Sequence, residues 1–141
     1  MQSFLLKCHP PGAAAPPSAF FILSRGNNAG RPSFTPHPNC FAFRCAETDL
    51  DHYYWLVYAL WETGHFRPYI FGTAIPMIRV GDVRRVIQDG LLKSAALEKA
   101  LVLLQQLRKA ETHAKEQLAL IKQCRSALFW KINQAVPAIF T

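Results

Sequence analysis

Residues 72–86 read GTAIPMIRVGDVRRV, and this stretch sets the reading of the fold. Gly72 breaks the segment before it. Pro76 excludes Ile75 from the α region, so Ile75-Pro76 is extended. Met77, Ile78 and Val80 are apolar enough for a short strand, which the pattern places at residues 75–80. Gly81 turns the chain, and Asp82 is a helix cap followed by Val83, Val86 and Ile87 on one face. Turn, buried extended segment and capped helix (82–89) make a structural unit rather than a catalytic motif. Upstream lies a compact mixed segment; downstream lies one long helical pattern.

Moving outward towards the N-terminus, SFLLKC (3–8), SAFFILS (18–24) and NCFAFRC (39–45) read as strands separated by Pro/Gly-rich turns. In the last of these, Phe41 and Phe43 alternate with Cys40, Ala42 and Arg44, which turns the phenylalanines to a core. Thr48–Thr63 reads as a helix, with Thr48 as cap, Asp49 and Asp51 in the first turn and Gly64 as the stop. Its wide aromatic face packs on the sheet; a base-stacking platform is the weaker reading. Trp55, Leu56, Leu60, Phe41, Phe43, Ile75 and Ile78 form the expected core.

The 141-residue chain supports one domain with an appended element, and 50% hydrophobic residues supply a core. The formal charge is +7, and residues 91–141 hold eight basic against three acidic side chains. That excess favours an anionic partner. Four cysteines are too few and too scattered for a disulfide scaffold, so reduced thiols in the cytoplasm are expected. His37, Cys40 and Cys45 have no metal-ligand spacing; buried structural thiols are the expectation, with no metal and no cofactor. Prolines 10, 11, 16 and 17 interrupt any signal-peptide core, and no apolar run has the length of a membrane span.

Residues 25–33, RGNNAGRPS, carry two arginines, two asparagines and two glycines in what reads as a mobile basic loop. Arg25, Asn27, Asn28 and Arg31 are candidates for phosphate and base-edge contacts, with Arg67 beyond the first helix. The competing reading is an ordinary hairpin loop with solubilising charge. Paired carboxylates in motif context, a nucleophile elbow and a P-loop are all absent from the sequence, so no catalytic residue is assigned and a non-enzyme is expected.

Beyond Gly90 the next proline is Pro137, and a helix over 91–135 is expected. From Ala100 to Ala135, positions stepping by four and three form a heptad seam. Leu104, Leu107, Leu118, Ile121, Leu128 and Ile132 supply its apolar residues, while Glu111 and Arg125 interrupt it. Such a stripe pairs with a second long helix. The fold class is therefore α+β: a small twisted sheet with a packed helix over 1–90, then a coiled-coil-like helix over 91–141.

NCFAFRC, the aromatic helix YYWLVYALWETGHFRPYI, GTAIPMIRVGDVRRV and the long helix together resemble the second half of a target-recognition domain of type I restriction–modification specificity subunits. Tyr53, Leu56, Leu60, Gly72, Thr73, Ile75, Pro76, Ile78, Asp82 and Val86 carry the resemblance, which extends over residues 39–135. It implies a non-catalytic module that reads double-stranded DNA, with methyltransferase or other subunits as partners. In that family two spacer helices pair antiparallel and hold two recognition domains apart. This chain has one such domain, so an antiparallel homodimer, centred near Ala114, would rebuild the arrangement. The alternative is a coiled-coil adaptor of a phage or mobile element with no direct DNA contact.

Overall fold

Alternation of apolar side chains builds the sheet. In a computed structural model, which describes residues 3–136 (without the side chains of 94–97), the strands are Leu5–His9 (β1), Ala19–Leu23 (β2), Pro32–Ser33 (β3) and Cys40–Arg44 (β4). They form one antiparallel sheet in the order β1-β4-β2-β3. Leu6 lies opposite Phe43, and Phe43 lies opposite Phe20 on its other side. That register gathers Leu6, Phe20, Ile22, Phe41 and Phe43 on one face, all buried. Phe43 stacks between Phe4 and Phe20 at 4.8 and 4.6 Å. The opposite face carries a smaller cluster of Phe21, Cys40 and Ala42.

Two helices cover the first face. α1 (Leu50–Glu62) contributes Tyr53, Tyr54, Leu56, Val57 and Leu60; α2 (Val80–Leu92) contributes Val83, Val86 and Ile87. Gly90 lets the two approach: a Cβ there would stand 3.1 Å from a methyl of Leu60. Arg84 of α2 donates to the Leu6 carbonyl at 2.9 Å and ties the helix to β1. Gly64, at φ +79°, ends α1 with paired bonds from Gly64 N to Trp61 O and from His65 N to Leu60 O.

Several sequence expectations shift. Thr48 does not cap α1; Glu47–Asp49 form a 3-10 turn leading into it, and the cap position is Asp49. The strand expected at 75–80 is absent. Phe71 and Met77 close a hairpin whose loop is residues 72–76, and Met77 also bridges Arg25. Pro76 has no N–H to donate, and a single bridging residue does not make a strand. Ile75 sits in that loop at 56% exposure instead of in the core, whereas Ile78 is buried. Gly81 does not turn the chain. α2 starts at Val80, with Gly81 and Asp82 in its first turn, where a free N–H needs no intrahelical partner and a carboxylate suits the dipole. Trp55 is half-buried. The basic loop of residues 25–31 is the connection of a β2–β3 hairpin, and the short strand β3 lies inside the stretch expected to be loop.

α3 (Ser94–Ala135) is 42 residues, about 63 Å at 1.5 Å per residue. It starts after a break at Lys93, so the residues from 91 belong to α2. The chain divides into two units, Met1–Leu101 and Val102–Thr141. The division falls at Leu101 rather than at residue 90 because Leu101 joins the core of the first unit. No helix of the described residues is long and apolar enough to cross a membrane.

Candidate nucleic-acid interface

The β2–β3 connection is a stitched turn rather than a mobile loop. Gly30 N donates to Leu23 O at 2.7 Å, Arg31 N to Asn28 O at 2.9 Å and Gly26 N to Pro76 O at 2.9 Å. Gly30 has φ +91° and lies against the Phe66 ring, where a Cβ would stand 2.8 Å from the nearest ring carbon. Only glycine satisfies both demands. The turn thus holds Arg25, Asn27 and Asn28 exposed on a fixed backbone.

Arg31 differs from the expectation. It is half-buried, with its guanidinium 5.6 Å from the Trp61 ring centroid. Such a contact fixes the side chain and contributes roughly 0.5–1 kcal/mol. Trp61 continues a half-buried aromatic row with Tyr58 and Trp55, at 5.8 and 5.6 Å between successive rings. Arg67 is exposed in a 3-10 turn, its stem beside Gly64 just past the end of α1. Gly30 against Phe66 and Arg31 over Trp61 bring the hairpin turn to this end of α1.

A groove of about 540 Å³ opens beside the turn, where the ends of β1, β2 and β4 meet the segment leading into α2. Arg25 and Met77 are bridged, and Arg79 follows two residues on. Opposed residues, and residues two apart in an extended chain, share a face. Arg25, Met77 and Arg79 accordingly line the groove together, with His9 and Asn39. Among the described residues lining it there is no carboxylate. Local sequence spacing singles out neither Arg79, which falls in the expected strand, nor His9, at the end of β1.

The cysteines do not converge. Cys40 and Cys45 lie at opposite ends of β4, and Cys40 donates its thiol to the His37 carbonyl. Among the described residues no three His, Cys, Asp or Glu groups are placed to hold a metal. Of the two strand thiols expected to be buried, Cys40 is and Cys45 is half-buried; Cys8 and Cys124 are exposed. Burial, then the Asp49 carboxylate, pushes the Cys45 thiol up to about 11. Burial likewise raises the neighbouring Tyr53 phenol, with smaller contributions from Cys45 and Asp49.

In the second unit, Leu107, Leu118, Ile121, Leu128 and Ile132 are exposed along the helix, and Leu104 is half-buried. At 100° per residue they form one stripe; Phe129 flanks it, while Leu120 and Trp130, also exposed, lie away from it. Glu111 is held within its own helix by Arg108 at 2.9 Å and Lys115 at 3.0 Å. Hydrogen bonds from Lys115 and then Arg108 lower its carboxyl below the usual range.

These features define an α+β domain with a basic end, joined to a helix carrying an open apolar stripe. The chain belongs to a family of unknown function, DUF6943, whose match covers residues 6–131. Neither a curated protein nor a solved structure matches it.

Proposed function

We propose that this protein is a non-catalytic double-stranded-DNA-binding module that works as a pair of copies. The observation that supports it most is the stitched hairpin turn: it presents Arg25, Asn27 and Asn28 on a fixed backbone beside a carboxylate-free groove. Arginine supplies a charged fork for phosphates, and asparagine supplies a donor–acceptor pair for base edges. A fixed backbone lowers the ordering cost of binding. Arg67 extends the basic surface from the end of α1, and Arg31 has the lesser role because Trp61 holds it. The resemblance to specificity subunits points the same way, with a methyltransferase-type subunit as the further partner.

The second copy follows from the stripe. In an antiparallel pair each a position faces a d position of the other helix. Matching the apolar residues centres the pair between Leu118 and Ile121 rather than near Ala114: Leu118 meets Ile121 of the second copy, and Leu107 meets Ile132. Arg125 meets Ala114, whose small side chain leaves the guanidinium a path to water. Parallel pairing would stack Arg125 on Arg125. The in-helix pairing of Glu111 with Arg108 and Lys115 offsets its seam charge without help from the partner.

The test is a titration of duplex DNA over a salt series. The wild-type slope of log K against log salt should be several units. Arg25→Ala with Arg67→Ala should flatten it by roughly 0.9 for each phosphate that is no longer neutralised. The melting temperature should stay nearly unchanged, since both side chains are exposed. Unchanged affinity in the double variant would refute the DNA reading and leave the adaptor reading in its place.

A further inference from the structure

We propose that the groove beside the hairpin turn is a binding site for a nucleoside monophosphate, free or as the 5′ end of a strand. The site shares Arg25 with the proposed duplex contact but does not depend on the DNA reading above, since it is read with a mononucleotide alone. Three observations converge on one anion. Arg25 and Arg79 line the groove from two bridged segments, and among the described lining residues no carboxylate opposes them. α2 begins at that wall: Val80 lines the groove, and the cap position Arg79 makes no side-chain capping bond. The first intrahelical bond runs from Val83 N to Arg79 O, so the N–H groups of residues 80–82 are open to an acceptor. Asp82 stands in that first turn but does not line the groove.

The third observation is His9. It is 8% exposed, its ring meets Phe21 edge-on at 5.0 Å, and its side chain has no hydrogen-bond partner among the described residues. No buried side-chain nitrogen or oxygen among those residues is sealed without a partner, so the imidazole nitrogens keep contact with solvent, and His9 lines the groove. The remaining wall is apolar and aromatic: Phe41, Phe71, Met77 and Ile78. Arg79 already lies over Phe71 at 4.8 Å, which orients its guanidinium. A volume of about 540 Å³ falls in the range of small-ligand sites, roughly 300–1,000 Å³. Cationic side chains set beside aromatic and apolar ones fit a phosphate carried on a base, rather than phosphate alone.

The experiment titrates the full chain with AMP, inorganic phosphate and adenosine by calorimetry, and follows the amide spectrum of the wild type with each. AMP should bind more tightly than phosphate, adenosine should bind far more weakly, and AMP should shift the amides of Val80 and Gly81. Arg25→Gln and Arg79→Gln should each weaken AMP by about tenfold or more. Arg44→Gln, at the far end of β4, should leave it unchanged. A 5′-phosphorylated tetranucleotide compared with its 5′-hydroxyl form separates a strand end from a free nucleotide; preference for the phosphorylated form assigns the strand end, and binding of AMP alone assigns the free nucleotide. No AMP binding, binding unaffected in Arg79→Gln, or amide shifts confined to other surfaces would overturn the proposal. The amide readout holds even if a variant fails to fold.

Discussion

Replacing Leu118 and Ile121 by Asp tests the pairing of copies where the stripe is most central. The wild-type magnitude comes from exposure. Leu107, Leu118, Ile121, Leu128 and Ile132 stand 68, 50, 60, 61 and 54% open. Full burial of such a side chain contributes roughly 1.5–3 kcal/mol, so closing the open part gives roughly 1–2 kcal/mol each. Two copies of these residues supply roughly 10–20 kcal/mol, against an association cost of roughly 4–15 kcal/mol. The mid-range difference, roughly 5–6 kcal/mol, gives a dimer at about 100 μM. The double variant removes four of these side chains from the pair, roughly 4–8 kcal/mol, before any penalty for desolvating the new carboxylates. The affinity of the pair should fall by at least about a thousandfold. Sedimentation equilibrium should therefore give a dimer for the wild type and a monomer for the variant, with unchanged secondary structure in the first unit. A wild-type chain that stays monomeric at high micromolar concentration would refute the reasoning, as would a variant that dimerises as before.

Phe43→Ala should cost about 3–5 kcal/mol by chemical denaturation, because Phe43 is 0% exposed and stacked between Phe4 and Phe20. Gly30→Ala should cost roughly 1–3 kcal/mol, since it forces a side chain to φ +91° and into Phe66; a loss near zero would mean the turn moves freely. The Cys45 thiol ionises near 9.0 in the unfolded chain and at about 11 in the fold. The unfolded state gives up that proton first, so the stability linked to it is whole below pH 9 and is lost as pH rises towards 11. Stability of the wild type should fall across that window, and Cys45→Ser should flatten the fall. At pH 8 an alkylating reagent should modify exposed Cys8 and Cys124 well before Cys45.

Periodicity was enough for much of this protein. Strands β1, β2 and β4, helix α1 and the long α3 are regular repeats whose apolar spacing reports one buried face, and Phe41/Phe43 against Cys40/Ala42 could be assigned to opposite faces from the sequence. The exposed stripe of α3 was legible for the same reason: a heptad seam is a local pattern. What the sequence left open depended on partners distant along the chain. Met77 is extended because it bridges both Phe71 and Arg25, and neither contact is visible within residues 72–86. The basic stretch became a fixed turn through Pro76, Leu23 and Phe66, and Arg31 was drawn onto Trp61. Helix α2 began two residues before its apparent cap, because its first turn tolerates Gly81 and favours Asp82. Above all, Arg25, Arg79 and His9 meet only when three strand ends and the α2 entry are folded together. Local spacing fixes which face of an element is buried; only tertiary packing decides which charges come to stand side by side.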